Sequence, residues 1–164
     1  MTGRRRAAVL LAAVAAVVTA FGLALTVLGV PHGRGGWPTG PNAIRAEDFT
    51  AYTAPNGILF DVGSDRLRPE ATAVLQAIAA RIARSGHRGP IRVEGYTDST
   101  GSDADNVDLS RDRADTVADW LEDHADVDRG WLQVIPYGEA SPAQPNDTDE
   151  HRRANRRVVI RVRR

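Results

Sequence analysis

The sequence predicts an α/β (α+β) sandwich: a mixed β-sheet covered by helices on one face and preceded by one transmembrane helix. Three observations carry this. Strand-like and helix-like segments alternate beyond residue 57, the last two strand-like segments follow one another with no helical pattern between them, and a 24-residue uncharged run stands near the N-terminus. Alternating elements fold as helices layered on a sheet. A closing pair of strands without an intervening helix makes that sheet mixed rather than purely parallel.

The chain has 164 residues, which suits one ordinary domain and an appendage. Hydrophobic residues make up 42% and charged residues 26%, which excludes wholesale disorder. Residues 1–34 hold four arginines and no acid, so the rest holds 17 arginines against all 21 acids. That acidic balance argues against nucleic acid as a partner. With no cysteine there are no disulfides, cysteine-ligated zinc sites or thiol catalysis, and with no lysine there is no Schiff base or P-loop.

Residues 1–6 form a basic stub, Met1-Thr2-Gly3-Arg4-Arg5-Arg6, followed by the uncharged run Ala7–Val30. At ~1.5 Å per residue the run spans roughly 36 Å, enough to cross a lipid bilayer. Three arginines before it and only Arg34 soon after predict a cytoplasmic N-terminus and an extracytoplasmic remainder, in a single-pass membrane topology. The rival is a cleaved signal peptide ending near Val18-Thr19-Ala20, but a signal h-region is only about 7–15 residues long. The run carries no ionisable residue, so it reads as a tether rather than an ion path. Residues 31–46 are rich in glycine and proline and read as a flexible linker. Residues 47–164 form the folded domain.

Within that domain, Ile58-Leu59-Phe60 reads as a short strand after the turn signal Pro55-Asn56-Gly57, with Phe49–Thr53 as an edge strand pairing to it. Pro69 suits the first turn of a helix that buries Val74, Leu75, Ile78, Ala79 and Ile82 and stops at Gly86. Ile91–Tyr96 alternates as a strand. A second helix runs from Asp103 to His124, burying Ser110, Ala114, Val117, Ala118 and Leu121. Trp131–Ile135 and Val158–Val162 complete the sheet, and the intervening segment from Glu139 to Asn155 is strongly polar.

The candidate chemistry gathers around Gly95-Tyr96-Thr97-Asp98-Ser99-Thr100-Gly101-Ser102. Asp98 stands where a strand gives way to a loop, a position from which side chains reach a cleft. Asn106 and Arg113 are seven residues apart and so share a helix face. A carboxylate, a guanidinium and an amide could therefore converge, and together they complement a zwitterion such as the free end of an amino acid. The alternative is an ordinary surface ion pair between Asp98 and Arg113, worth ~0–1 kcal/mol. Elsewhere, Asp103–Asp108 lacks the calcium-loop spacing, and no histidine pair has zinc spacing. No cofactor or metal is called for. Seven arginines in Arg152–Arg164 could attract anionic wall polymers, but a strand with a solvated arginine face accounts for most of them.

Longer blocks of the sequence resemble the OmpA/MotB-like peptidoglycan-associated domain. They are Phe60-Asp61-Val62-Gly63-Ser64 with Leu67 and Pro69-Glu70, then Val93–Ser102, then Asn106-x-x-Leu109-Ser110-x-x-Arg113-Ala114-x-x-Val117. Tyr137-Gly138-Glu139 with Pro142 and Asn155-Arg156-Arg157-Val158 follow in the family's order, so the resemblance runs from Ile58 to the C-terminus. It implies a β-α-β-α-β-β domain that binds the diaminopimelate of the peptidoglycan stem peptide. By the same resemblance, Asp98 and Arg113 hold the ligand's ammonium and carboxylate, Asn106 assists, and Thr97 and Gly63 line the site. Tyr96 stands where the family commonly has His, and Gly63 where some members place Asn, leaving only a backbone contact. Asn155, Arg156 and Arg157 are read as pinning the last strand.

The function expected from these readings is a non-catalytic tether: residues 7–30 hold the lipid bilayer and the domain holds peptidoglycan. A stator- or pore-type subunit using the same domain is the alternative, although the membrane carboxylate such a role needs is missing. An enzyme pairing Glu94, Asp98 and Glu139 as acid and base is not demanded by their spacing. A homodimer stays open.

Overall fold

The computed structural model describes residues 48–86 and 89–163. The expected span at 7–30 and linker at 31–46 lie outside them. Among the described residues, no helix is long and apolar enough to cross a membrane.

Four strands form one mixed sheet: β1 (Phe49–Pro55), β2 (Ile91–Tyr96), β3 (Leu132–Gly138) and β4 (Arg157–Arg163), in the spatial order β1-β4-β2-β3. β4 runs antiparallel to both β1 and β2, and β2 and β3 are parallel. The helices are α1 (Asn56–Leu59), α2 (Ala71–Ser85), α3 (Asp103–His124) and α4 (Asp149–Asn155). The mixed sheet and its layered helices agree with the sequence reading, but three local expectations are corrected.

Ile58-Leu59-Phe60 is not a strand. The Phe60 amide donates to the Asn56 carbonyl at 2.7 Å and closes a helical turn, leaving Phe60 only an isolated bridge to Leu67. An apolar run this short has no periodicity to separate strand from helix. β1 accordingly pairs with β4, with Tyr52 opposite Ile160, rather than with residues 58–60. Finally, the polar segment before the last strand contains α4, so a short helix does separate β3 from β4.

The other helices form as their sequences dictate. Pro69 and Glu70 precede α2, whose end is turned by Gly86 at φ 62°, a left-handed conformation that glycine adopts without a Cβ clash. Ser102 caps α3 by accepting from the Asp105 amide at 3.2 Å, and Asp103 and Asp105 complement the positive end of the helix dipole.

α2 and α3 share one core with alternate strand residues, including Ile91 and Val93 of β2 and Val158, Ile160 and Val162 of β4. α3 buries Ser110, Ala114, Val117, Ala118 and Leu121 as the spacing predicts. Its approach to β2 is unusually close: a Cβ on Gly95 would lie 1.9 Å from the Ser110 carbonyl oxygen. The Ser110 hydroxyl also accepts from the Gly138 amide at 3.0 Å, fastening the helix to the end of β3. These contacts bring the first turns of α3 to the C-terminal ends of β2 and β3.

Candidate functional site

Asp98 follows β2 by two residues and is only 5% exposed. One carboxylate oxygen accepts from the Thr100 amide at 3.0 Å, the local turn that aspartate favours. The other pairs with Arg156 Nη1. Burial pushes the Asp98 carboxyl up, but the Arg156 and Thr100 bonds outweigh it and hold the group below the usual carboxylate range.

Arg113 is 4% exposed on the inner face of α3. Its Nε donates to the Ser64 carbonyl at 2.8 Å and Nη2 to the Asp61 carbonyl at 3.4 Å, and the guanidinium lies 5.4 Å from the Phe60 ring centroid. Burial lowers its pKa, and the charge of Arg156 lowers it further, while Asp65 and Asp98 oppose the shift. Arg113, Asp98 and Arg156 thus lie within electrostatic reach of one another. The ion pair that involves Asp98 is made with Arg156 rather than with Arg113, so the surface-pair alternative for Asp98 and Arg113 is not what forms.

Asn106 is buried one turn into α3 and donates to Glu139 Oε2 at 2.8 Å. Its amide hydrogens therefore position a carboxylate at the end of β3. Thr97 is buried beside Asp98; its amide donates to the Gly138 carbonyl at 2.8 Å, and its hydroxyl has no protein partner. Gly63 is exposed at φ 68°, in the loop whose Asp61 and Ser64 carbonyls Arg113 holds. Asp98, Thr97, Arg113 and Asn106 are therefore brought to one end of the sheet, with Gly63 on an adjoining loop.

Two participants escaped the sequence reading. Arg156, assigned to pinning the last strand, instead sends its side chain to Asp98. Asn155 and Arg157 do act structurally: Asn155 bonds both backbone groups of Gln144, and Arg157 donates to the carbonyls of Asn155 and Ser141. The second is Asn56, which donates from its backbone to the Arg156 carbonyl at 3.0 Å and from its side chain to the Tyr96 carbonyl at 3.3 Å. It ties the start of β4 to the end of β2 and so sets Arg156 against Asp98. The only sequence signal for it was the Pro55-Asn56-Gly57 turn. Tyr96, at the position of a family His, is occupied elsewhere: its hydroxyl donates to Glu94 at 2.8 Å, its ring stacks on Tyr137 at 4.8 Å, and the Arg157 guanidinium lies 3.8 Å from its centroid.

The site thus gathers one buried carboxylate, two guanidiniums and an unpartnered hydroxyl at one end of the sheet, a set of charges complementary to a small zwitterion. Residues 59–156 match the OmpA family model, and the chain belongs to that family. It is similar to the probable lipoprotein YiaD of Escherichia coli, 35% identical over 122 residues that cover 74% of this chain and 55% of the relative. It is also similar to the peptidoglycan-binding protein ArfA of Mycobacterium bovis, 34% identical over 133 residues, 76% of this chain and 39% of the relative. The chain thus spans about half the length of YiaD and less of ArfA. Among solved structures, the cell wall anchor of the T6SS from Pseudomonas aeruginosa superposes with a TM-score of 0.62 at 27% identity, covering 72% of this chain and 89% of that one.

Proposed function

We propose that this protein is a membrane-anchored, non-catalytic peptidoglycan-binding protein of the cell envelope that tethers the membrane to the wall. The domain grips the diaminopimelate of the stem peptide. Asp98 receives the ligand's ammonium, Arg113 its carboxylate, and Asn106, Thr97 and the Gly63 backbone complete the site. Residues 7–30 hold the bilayer, and the linker at 31–46 lets the domain reach the wall.

The observation that carries this reading is the burial of Asp98 and Arg113 at one site without their being joined to each other. A ligand bearing both an ammonium and a carboxylate can engage both. Further support comes from the similarity to the peptidoglycan-binding protein ArfA and to the cell wall anchor of the T6SS.

Arg113 has two of its three nitrogens committed to loop carbonyls, so the carboxylate is met mainly by Nη1 and the remaining Nη2 hydrogen. Hydrogen bonds to charged groups contribute about 1.5–3 kcal/mol each, and association costs offset part of this. Each engagement is therefore weak. Many copies facing a repeating polymer hold through effective concentration.

The test is co-sedimentation of the full chain with insoluble peptidoglycan. The wild type is expected in the pellet, and Asp98→Asn and Arg113→Lys in the supernatant with native circular dichroism. Pelleting of both variants at the wild-type level overturns the assignment of the site.

A further inference from the structure

The end of the sheet that carries Asp98 carries a second carboxylate. Tyr96 stands opposite Gly138 in the parallel β2–β3 register, and the Thr97 amide donates to the Gly138 carbonyl at 2.8 Å. Glu139 therefore leaves β3 beside Thr97, its backbone about one strand spacing (~4.8 Å) away, with Asp98 the next residue along. Contacts with α3 fix its position from the other side. Gly138, at φ 54°, lies so near the helix that a Cβ would come within 3.1 Å of the Val107 side chain. The Glu139 side chain is half-buried, and its Oε2 accepts from Asn106 Nδ2 at 2.8 Å.

The two carboxylates differ in their company. Asp98 is neutralised by Arg156 and also accepts from the Thr100 amide. Glu139 is held by the neutral amide of Asn106 and, among the described residues, forms no ion pair. A partly buried charge without a counter-ion is costly, and a glutamine oxygen in its place would accept from Asn106 equally well. What glutamate adds over glutamine is an uncompensated negative charge at this end of the sheet.

We infer that Glu139 is a specificity-determining residue of the site: it receives the ligand's ammonium together with Asp98 and selects against ligands that offer carboxylates alone. This deepens the peptidoglycan reading and rests on it. An ammonium is compact and carries three N–H donors, so two carboxylates can share one. With Glu139 supplying the unpaired charge, the ammonium need not expel Arg156 from Asp98. Glu139 also repels the ligand's carboxylate, which turns that group toward Arg113 and fixes the ligand's orientation.

The experiment is calorimetric titration of the full chain, wild type and Glu139→Gln, with diaminopimelate and with pimelate, the same diacid without amino groups. Pimelate affinity is read by its displacement of diaminopimelate, which registers weak binding. Glutamine keeps the acceptor for Asn106 and removes only the charge. Replacing a charged by a neutral hydrogen-bond acceptor should weaken diaminopimelate binding about ten-fold, while pimelate binding is undiminished. Unaltered diaminopimelate affinity in Glu139→Gln overturns this inference and leaves the peptidoglycan reading intact. An equal loss for both probes also overturns it, since that is the effect of a merely structural role. Failure of the wild type to bind diaminopimelate removes both.

Discussion

The Asp98 carboxylate already has a cationic partner, so in the proposed complex a ligand ammonium would share it with Arg156 or displace it. That pairing also makes Asp98 a contributor to stability. Its pKa in the folded protein lies below the usual value of 3.8. The contribution is therefore fully present above that value and is lost as pH falls through the lower, folded-state value. Asp98→Asn should cost about 1–2 kcal/mol at pH 7. That is less than the 3–5 kcal/mol of a broken, fully buried pair, because the Arg156 side chain is 35% exposed and can rehydrate. Urea unfolding across a pH series checks the sign: the gap between wild type and variant should be full at pH 7 and shrink as pH falls below 3.8. A gap that widens on acidification contradicts the pairing. Asp98, Asn106 and Arg113 were legible because a strand end and a seven-residue helical repeat are local features of the sequence. Arg156 was not. Which of seven tail arginines returns to Asp98 is set by the β2–β4 register, Tyr96 opposite Arg157 and Gly95 opposite Val158, and a register is a tertiary fact.

The close crossing of α3 over β2 puts Asn106 and Arg113 within reach of the strand ends, and Gly95 permits it. Gly95→Ala would drive a methyl into the Ser110 carbonyl at 1.9 Å, where backbone rather than a flexible side chain must yield. Overpacking of this kind costs about 1–3 kcal/mol or more, read as a lower midpoint in chemical denaturation together with weakened wall binding. Ser102→Ala, which removes the cap of α3, should cost about 1 kcal/mol. Its effect on wall binding should be small by comparison, since the cap lies outside the site. Elements with long periodic patterns were readable in advance: α3 has the bounds its sequence suggests, and Gly86 ends α2. α1 and α4 were not, for a common reason. Four and seven residues are too few for a helix to persist alone, so their conformations depend on contacts from elsewhere. α1 is held by the Asn56 bonds to Arg156 and Tyr96, and α4 by its Thr148 cap and by Asn155 reaching back to Gln144.

Taken whole, the described chain uses most of its C-terminal arginines internally. Arg152 pairs with Asp149, Arg156 with Asp98 and Arg161 with the buried Glu94, while Arg157 holds two backbone carbonyls. This leaves a smaller basic surface for anionic wall polymers than the sequence suggests; in the proposed function, wall recognition rests on the site around Asp98 and Arg113 rather than on net charge. Binding through a few short-range contacts should accordingly survive moderate salt. Co-sedimentation with peptidoglycan at 0.15 M and 0.5 M salt should differ by less than about three-fold, whereas binding driven by exposed charges would be largely screened. In the proposed tether, the full chain should also float with lipid vesicles, and a chain lacking residues 7–30 should not, while still pelleting with peptidoglycan.

Calorimetric titration of the full chain with diaminopimelate at pH 7, with cadaverine as a diamine lacking carboxylates, tests the central claim most directly. Saturable heat with diaminopimelate, none with cadaverine, and loss of the signal in both Asp98→Asn and Arg113→Lys are the predicted results. Absence of binding by the wild type, or undiminished binding by either variant, would contradict the account.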